Sequence, residues 1–479
     1  MGNRKRKAPI IINNIEIIDT AYKGKAITKH EGRVIFVEGG VPGDICDIQI
    51  FKRKKKYWEA QIKKTHTYSK IRTEPKCEHF GVCGGCKWQN MKYKSQLDFK
   101  QNEVINNLTK IGGIKNPKKS KIIGSKNKYF YRNKMEFTFS NRRWLTLKEI
   151  KSKVKINDKE ALGFHIPGMF DKVINIKKCH LQKDPSNKIR LAIEQFSKEH
   201  NLTYFDIRNQ TGLLRNLMIR NTSTNELMVL VQFFEENKSS IKLVMEHLKI
   251  KFPEINSLLY IVNKKANNTI YDQKVICYNG QEYITEEMDG LYFKIGPKSF
   301  FQTNSEQAKI LYRKTKELAQ INKDQIVYDL YTGTGTIAQY IASSAKKVVG
   351  IDSVEEGIIA AYENSKKNNI KNCVFFTGDM KEIFTDEFIS KNGMPDTIIT
   401  DPPRDGMHKK VVEQILRIKA NKIIYVSCNS ATQARDLCLL KEIYMVTHIQ
   451  PVDMFPQTHH VENIIVLKLA GNWLFKYLM

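Results

Sequence analysis

Two side chains near the end of the chain carry the clearest chemical signal. Cys428 ends the apolar run Ile423-Ile424-Tyr425-Val426-Ser427, and Glu462 closes the segment Gln457-Thr458-His459-His460-Val461 just ahead of another apolar run. A thiol presented at the end of a buried strand is placed to act as a nucleophile. A carboxylate beside it could move a proton, with His459 and His460 competing for that role. Methylation at C5 of a pyrimidine needs such a pair, because C5 of uracil is a poor nucleophile. A thiolate adding to C6 makes an enolate with carbanion character at C5, and a base must then take the C5 proton so that the thiol can leave. A free thiol is only slightly ionised at neutral pH, so the site must activate it.

The methyl donor needs a crevice of its own. Asp329-Leu330-Tyr331-Thr332-Gly333-Thr334-Gly335-Thr336 falls where a strand ends and a helix begins, and Gly333 and Gly335 permit a tight turn with close backbone approach of a ligand. There is no third glycine at dinucleotide spacing and no Gly-Lys-Ser/Thr, which argues against NAD and ATP. The next strand ends at Asp352, where a carboxylate could accept hydrogen bonds from ribose hydroxyls, a pattern that fits S-adenosylmethionine. Further on, Asp401-Pro402-Pro403-Arg404 stops a strand and leaves Asp401 projecting into the same crevice. Arg404 stands where methyltransferases acting on amino groups usually carry an aromatic, which favours a different target atom.

A third constellation lies early in the chain. Cys77, Cys83 and Cys86 share a glycine-rich turn, and Cys179-His180 offers a distant fourth ligand. This set fits tetrahedral zinc or an iron-sulfur cluster, and spacing leaves both open. Gly84 and Gly85 leave room for inorganic sulfide, while His79 and His180 keep zinc available. Nine cysteines in 479 residues are too few for a disulfide scaffold, so Cys46, Cys277, Cys373 and Cys438 are assigned to packing.

The elements that position these residues fall into three groups. Residues 1–69 alternate short β-branched runs with Gly and Pro turns, which predicts a small OB-like β-barrel. Residues 70–296 mix strand-like runs with helices expected over 186–199 and 239–251, an α+β domain holding the metal site. Residues 297–479 alternate strands and helices, the mark of a doubly wound, Rossmann-like sheet, with Ser305 expected to cap its first helix. The multidomain α/β chain carries a formal charge of +29, which predicts a polyanionic partner, nucleic acid before an anionic membrane. The run Phe51-Lys52-Arg53-Lys54-Lys55-Lys56-Tyr57-Trp58 interleaves cations with aromatics, and Arg132 and Arg215 are further candidate phosphate contacts. No membrane span, leader or lipid-anchor motif is read in the sequence, so the expected location is cytoplasmic, and no protein partner is inferred.

In combination and in order, Phe301-Gln302-Thr303-Asn304, Tyr331 to Thr336, Asp401-Pro402-Pro403-Arg404, Ser427-Cys428-Asn429 and Gln457-Thr458-x-His460-Val461-Glu462 resemble the RNA (uracil-5-)-methyltransferase family over the whole chain. The resemblance implies that Cys428 is the nucleophile and Glu462 the proton-abstracting base. It implies that Gln302, Tyr331, Asp352, Asp379 and Asp401 line the donor and uracil pocket, and that Cys77, Cys83, Cys86 and Cys179 hold a [4Fe-4S] cluster, as in the ribosomal branch. Gly32 to Val37 and Val41-Pro42-Gly43-Asp44 resemble a TRAM domain. A TRAM barrel, a cluster and a methyltransferase domain together imply 23S rRNA as substrate, with a target uridine splayed from its stack. Ser430 stands where the family more often has Pro, and Asp352 where Glu is common. The competing expectations are a transfer-RNA uridine or C5 of cytosine as target, and a non-catalytic RNA-binding assembly factor.

Overall fold

A computed structural model describes residues 10–115, 118–152 and 158–470. The basic residues ahead of Ala8, on which the reading of the leader partly rests, lie outside these.

The first sheet contains β1 (Ile10–Glu16), β2 (Asp19–Thr20), β3 (Ala26–His30), β4 (Arg33–Glu38), β5 (Ile45–Arg53) and β6 (Tyr57–Thr67), in the order β1-β5-β6-β4-β3-β2. The chain after β1 ties the two edges together: Ile17 N–H donates to the Asp44 carbonyl (2.9 Å) and Ile18 N–H to that of Ile27 (2.8 Å). Alternate residues such as Ile35, Val37, Cys46, Ile48 and Ala60 point into one small core, as the period of a half-buried strand requires. The basic segment 51–58 forms the β5–β6 hairpin.

Helix α1 (Tyr93–Lys110) follows, and then a sheet in the order β13-β12-β11-β10-β7-β8-β9. Its strands are β7 (Lys134–Ser140), β8 (Ala161–His165), β9 (Val173–Asn175), β10 (Leu214–Asn221), β11 (Leu227–Phe233), β12 (Ser257–Val262) and β13 (Ile276–Gly280). Between them run the short α2 (Leu147–Lys151), α3 (Ser186–Glu199) and α4 (Lys238–Lys251). The hairpin β14 (Ile284–Met288) and β15 (Leu291–Ile295) leads to the last sheet.

That sheet has the order β18-β17-β16-β19-β20-β22-β21, parallel except for β22 and β21. Its strands are β16 (Ile326–Leu330), β17 (Lys347–Asp352), β18 (Cys373–Thr377), β19 (Thr397–Thr400), β20 (Lys422–Ser427), β21 (Tyr444–Val452) and β22 (Glu462–Leu469). Its helices are α5 (Ser305–Ala319), α6 (Thr336–Ala342), α7 (Glu355–Lys367), α8 (Met380–Ile383), α9 (Asp386–Asn392), α10 (Lys409–Ile418) and α11 (Ser430–Leu440). Both faces are buried, as near-continuous apolar strands demand. One face packs on α5, α6 and α7, the other on α10 and α11. Val104 and Leu108 of α1 join this second core, although α1 precedes the central sheet in the chain.

Asn237 and Asn304 cap α4 and α5, the latter in place of the expected Ser305. Asn237 accepts from Ser240 N–H (3.0 Å) and Asn304 from Gln307 N–H (3.3 Å), whereas Ser305 spends its hydroxyl on Glu286. Arg215 is fully buried and donates to the carbonyls of Asn263, Lys265 and Asn267, so it organises a loop and meets no phosphate. No helix among the described residues is long and apolar enough to cross a membrane.

Candidate active site

The carboxyl edge of the last sheet collects most of the sequence-predicted site residues in a row. The ladders pair Leu330 with Ile351 and with Thr400, so Tyr331 emerges between Asp352 and Asp401. Thr400 pairs with Tyr425, which brings the end of β20 alongside. Because β22 is antiparallel, its first residues meet the end of β20: Ser427 pairs with Asn463, so Cys428, just past β20, and Glu462, at the head of β22, emerge at the same edge, close enough for the Glu462 charge to act on the thiol.

The glycine turn is built for a ligand. Asp352 accepts from the N–H groups of Gly333 and Val354 (2.9 Å each), pinning the turn to the neighbouring strand. Gly333 has φ +55°, and a Cβ there would meet nothing within 4 Å, so its backbone faces open space. Gly335 differs: a Cβ would lie 2.8 Å from that of Ala361 and 3.0 Å from the Phe375 ring, so this glycine serves close packing behind the turn. Tyr331 also has positive φ (+64°), a conformation that costs a non-glycine residue about 1–2 kcal/mol and marks functional turns. Asp329, fully buried, accepts from Thr332 Oγ1 (2.5 Å) and Ala338 N–H (3.0 Å); burial pushes its carboxyl up to about 7. It escaped the sequence reading, although an acid inside an apolar strand was the signal for it.

Asp379 caps α8 by accepting from Lys381 N–H (3.2 Å) and is exposed; the bond and the Lys381 ammonium (3.0 Å) hold its carboxyl below the usual range. Gln302 is half-buried, its carbonyl accepting from Asn133 Nδ2 (2.9 Å). Two residues before it, Phe300 is 71 % exposed, an aromatic face free to stack on a base and a second residue the sequence reading missed.

The reacting groups share one electrostatic environment. Burial, then the charges of Glu462 and Asp401, push the Cys428 thiol up to about 12, while the Arg404 guanidinium opposes them. Burial and the neighbouring Asp401 raise Glu462 well above the carboxylate range, again against Arg404. Asp401 is raised by burial and by Asp329. The histidines move the other way: burial and nearby cations lower His460 to about 4, and burial with His460 lowers His459 to about 3.

The thiols of Cys77, Cys83, Cys86 and Cys179 line one cavity of about 450 Å³, together with His79, Phe80, His180, Arg132, Thr303 and Thr458. Backbone N–H groups of His79 and Phe80 reach the Cys77 sulfur, that of Gly85 the Cys83 sulfur (3.4 Å), and that of Leu181 the Cys179 sulfur. Burial pushes the thiols up, Cys83 to about 11 and Cys86 to about 12. Among the described residues, no three His, Cys, Asp or Glu side chains converge where a single metal ion could sit.

Comparison with known proteins bears on the family. The model of the tRNA (Uracil-5-)-methyltransferase family matches residues 269–470, and that of the TRAM domain residues 13–63. An uncharacterized RNA methyltransferase of Bacteroides thetaiotaomicron is 52 % identical over 94 % of this chain and 100 % of its own length. Proteins so described from Porphyromonas gingivalis (48 %, covering 95 % and 99 %) and Chlorobaculum tepidum (38 %, covering 98 % and 98 %) are similar as well. Among solved structures, the Pyrococcus abyssi tRNA (uracil-54, C5)-methyltransferase in complex with S-adenosyl-L-homocysteine superposes with a TM-score of 0.72 at 28 % identity, covering 95 % of this chain and 100 % of that one.

Proposed function

The chain belongs to the RNA (uracil-5-)-methyltransferase family, and on that premise we propose that it methylates C5 of a uridine in 23S rRNA, with Cys428 as nucleophile and Glu462 as base. The observation that carries this reading is that the last β20–β22 pair, Ser427 with Asn463, brings Cys428 and Glu462 to one edge of the sheet, where the carboxylate charge acts on the thiol. Cys428 Sγ bonds to C6 of the uracil and the 5,6 double-bond electrons move onto the ring carbonyl. S-adenosylmethionine, when bound, supplies an electrophilic methyl group and a cationic sulfur. Tyr331, the Gly333 turn and Asp352 would hold it, with Gln302, Asp379 and Asp401 around the same crevice. The electrons on the ring carbonyl return through C5, which bonds to that methyl group as the methyl's bond to the donor sulfur breaks; Glu462, as carboxylate, then takes the C5 proton, the C6–S bond breaks with Cys428 leaving as thiolate, and the 5,6 double bond re-forms. Arg404 is the cation that favours ionisation of both groups.

RNA carrying 5-fluorouridine at the target should trap a covalent adduct through Cys428, since fluorine cannot leave as a proton does; absence of an adduct with correct RNA and donor would sink the mechanism. A transfer-RNA uridine is the second reading, favoured by the similarity to the Pyrococcus abyssi enzyme. Mass-spectrometric mapping of RNA from a deletion strain separates the two: loss of 5-methyluridine from 23S rRNA supports the first, loss from tRNA alone the second. A [4Fe-4S] cluster on Cys77, Cys83, Cys86 and Cys179 belongs to the same proposal, supported by the spread of the thiols around one cavity and by the N–H donors aimed at their sulfurs. Iron and acid-labile sulfide analysis tests it, and a zinc-only result would overturn it.

A further inference from the structure

The connection from β21 to β22 is buried along most of its length, so its polar groups need partners other than water. It finds many of them on α1. Lys100 Nζ donates to Asp453 Oδ1 (2.6 Å) and to the Phe455 carbonyl (3.1 Å), with Lys100 and Asp453 both fully buried. Tyr93 OH donates to Asp453 Oδ2 (2.7 Å). Gln96 Nε2 donates to Gln457 Oε1 (3.0 Å), and Gln96 Oε1 accepts from Gln457 N–H (3.0 Å). Gln457 is held at φ +67°, a left-handed conformation that persists in a non-glycine residue only where its surroundings enforce it. Its carbonyl accepts from the N–H groups of Lys87 (2.9 Å) and Trp88 (3.0 Å).

Gln96 and Lys100 lie on the same face of α1 as Val104 and Leu108, which pack on the sheet. Polar side chains at such positions are rare and need a specific partner. Here their partners are the residues that lead into Glu462.

We propose that Lys100 and Gln96 are positioning residues for proton removal: they fix the Asp453–Gln457 segment and thereby the place of Glu462 at the head of β22. This rests on the reading of Glu462 as the base. Because Cys428 is held by β20 and not by this loop, addition to C6 and methyl transfer should survive when the anchor is lost, while release should not.

The double variant Lys100→Met/Asp453→Asn removes the anchor without stranding a buried charge. It should trap 5-fluorouridine RNA as the wild type does, with KM for RNA unchanged. On unmodified RNA its kcat should fall about tenfold or more, with the covalent intermediate accumulating on denaturing gels. Amide hydrogen exchange across 453–460 should quicken. Gln96→Leu provides a milder variant should the double one fail to fold, with the same split between trapping and turnover. Unchanged turnover, or equal loss of trapping and turnover, would overturn the proposal. No adduct from the wild type, or free turnover by Glu462→Gln, would remove the base and this proposal with it; stalling by Glu462→Gln beside normal turnover of the anchor variants would overturn the positioning alone.

Discussion

Cys428 and Glu462 lie at one edge of the same sheet, yet the segments that lead to them differ. Cys428 follows directly on β20, a strand inside the sheet, and the chain turns at once into α11, whose first turn is capped by Asn429 accepting from Ala431 N–H (3.1 Å). Glu462 follows a buried loop whose partners come from far away in sequence: Tyr93, Gln96 and Lys100, then Tyr131 OH to the Pro456 carbonyl (2.9 Å), Asn304 Nδ2 to that of Met454 (2.8 Å) and Gln307 Nε2 to that of Asp453 (2.8 Å). The nucleophile thus sits between a strand and a helix that follow one another directly, while the loop that leads to the base is held by side chains reaching across the molecule. Ladders tolerate substitution, whereas long-range side-chain anchors can be removed one at a time.

The largest contrast should come from the two reacting groups themselves. Cys428→Ala should cost about a thousandfold or more in methyl transfer while leaving RNA affinity unchanged, whereas Glu462→Gln should lose about 10²–10⁴ in turnover and accumulate adduct. Rapid-quench assays with methyl-labelled donor distinguish them, and identical profiles would erase the difference between the two halves. Next in size, alkylation of Cys428 by iodoacetamide in the protein alone should be much slower than that of free cysteine and rise about tenfold per pH unit from 7 to 9, because its thiol pKa is raised to about 12. Arg404→Met should slow it further. A rate matching free cysteine at pH 7 would contradict the burial of the sulfur.

A smaller effect is expected from the loop anchors. Tyr131→Phe leaves the Pro456 carbonyl without this donor, which should cost about 1–3 kcal/mol of stability, and turnover should fall while adduct trapping holds. Thermal melting and single-turnover assays check it; equal loss in trapping would show that both halves lean on the loop. The smallest change concerns Asp329, on the ladder-held side. Its folded carboxyl is raised above the unfolded value, so its stabilising contribution is complete below about pH 4 and fades as pH rises through about 7. Asp329→Asn mimics the neutral acid, and its melting temperature should match wild type at pH 4 and exceed it at pH 8. The opposite ordering would mean that the carboxylate is stabilised by something other than Thr332 and Ala338.

What could be read in the sequence follows the same division. Asp352, Asp401 and Cys428 announce themselves because reactive side chains close apolar strands, and the alternation of strands and helices after residue 300 marks the doubly wound sheet. Helix α1 escaped notice because Gln96 and Lys100 break the apolar stripe on which periodicity depends. The burial of 453–461 was equally hidden, since its polar residues read as a surface loop until their partners are seen. Arg215 looked like a phosphate contact for the same reason: composition reports a charge, and only the fold shows that carbonyls have already claimed its donors.

The antiparallel closing strand has one more consequence. The last pair of β20 with β22 is Ser427 with Asn463, so a slip of a single residue between these strands would turn Glu462 to the opposite face. Indels near the end of the chain should therefore be punished far more severely than exchanges of side chain, and room for evolving new RNA targets must lie in the loops and the outlying barrel.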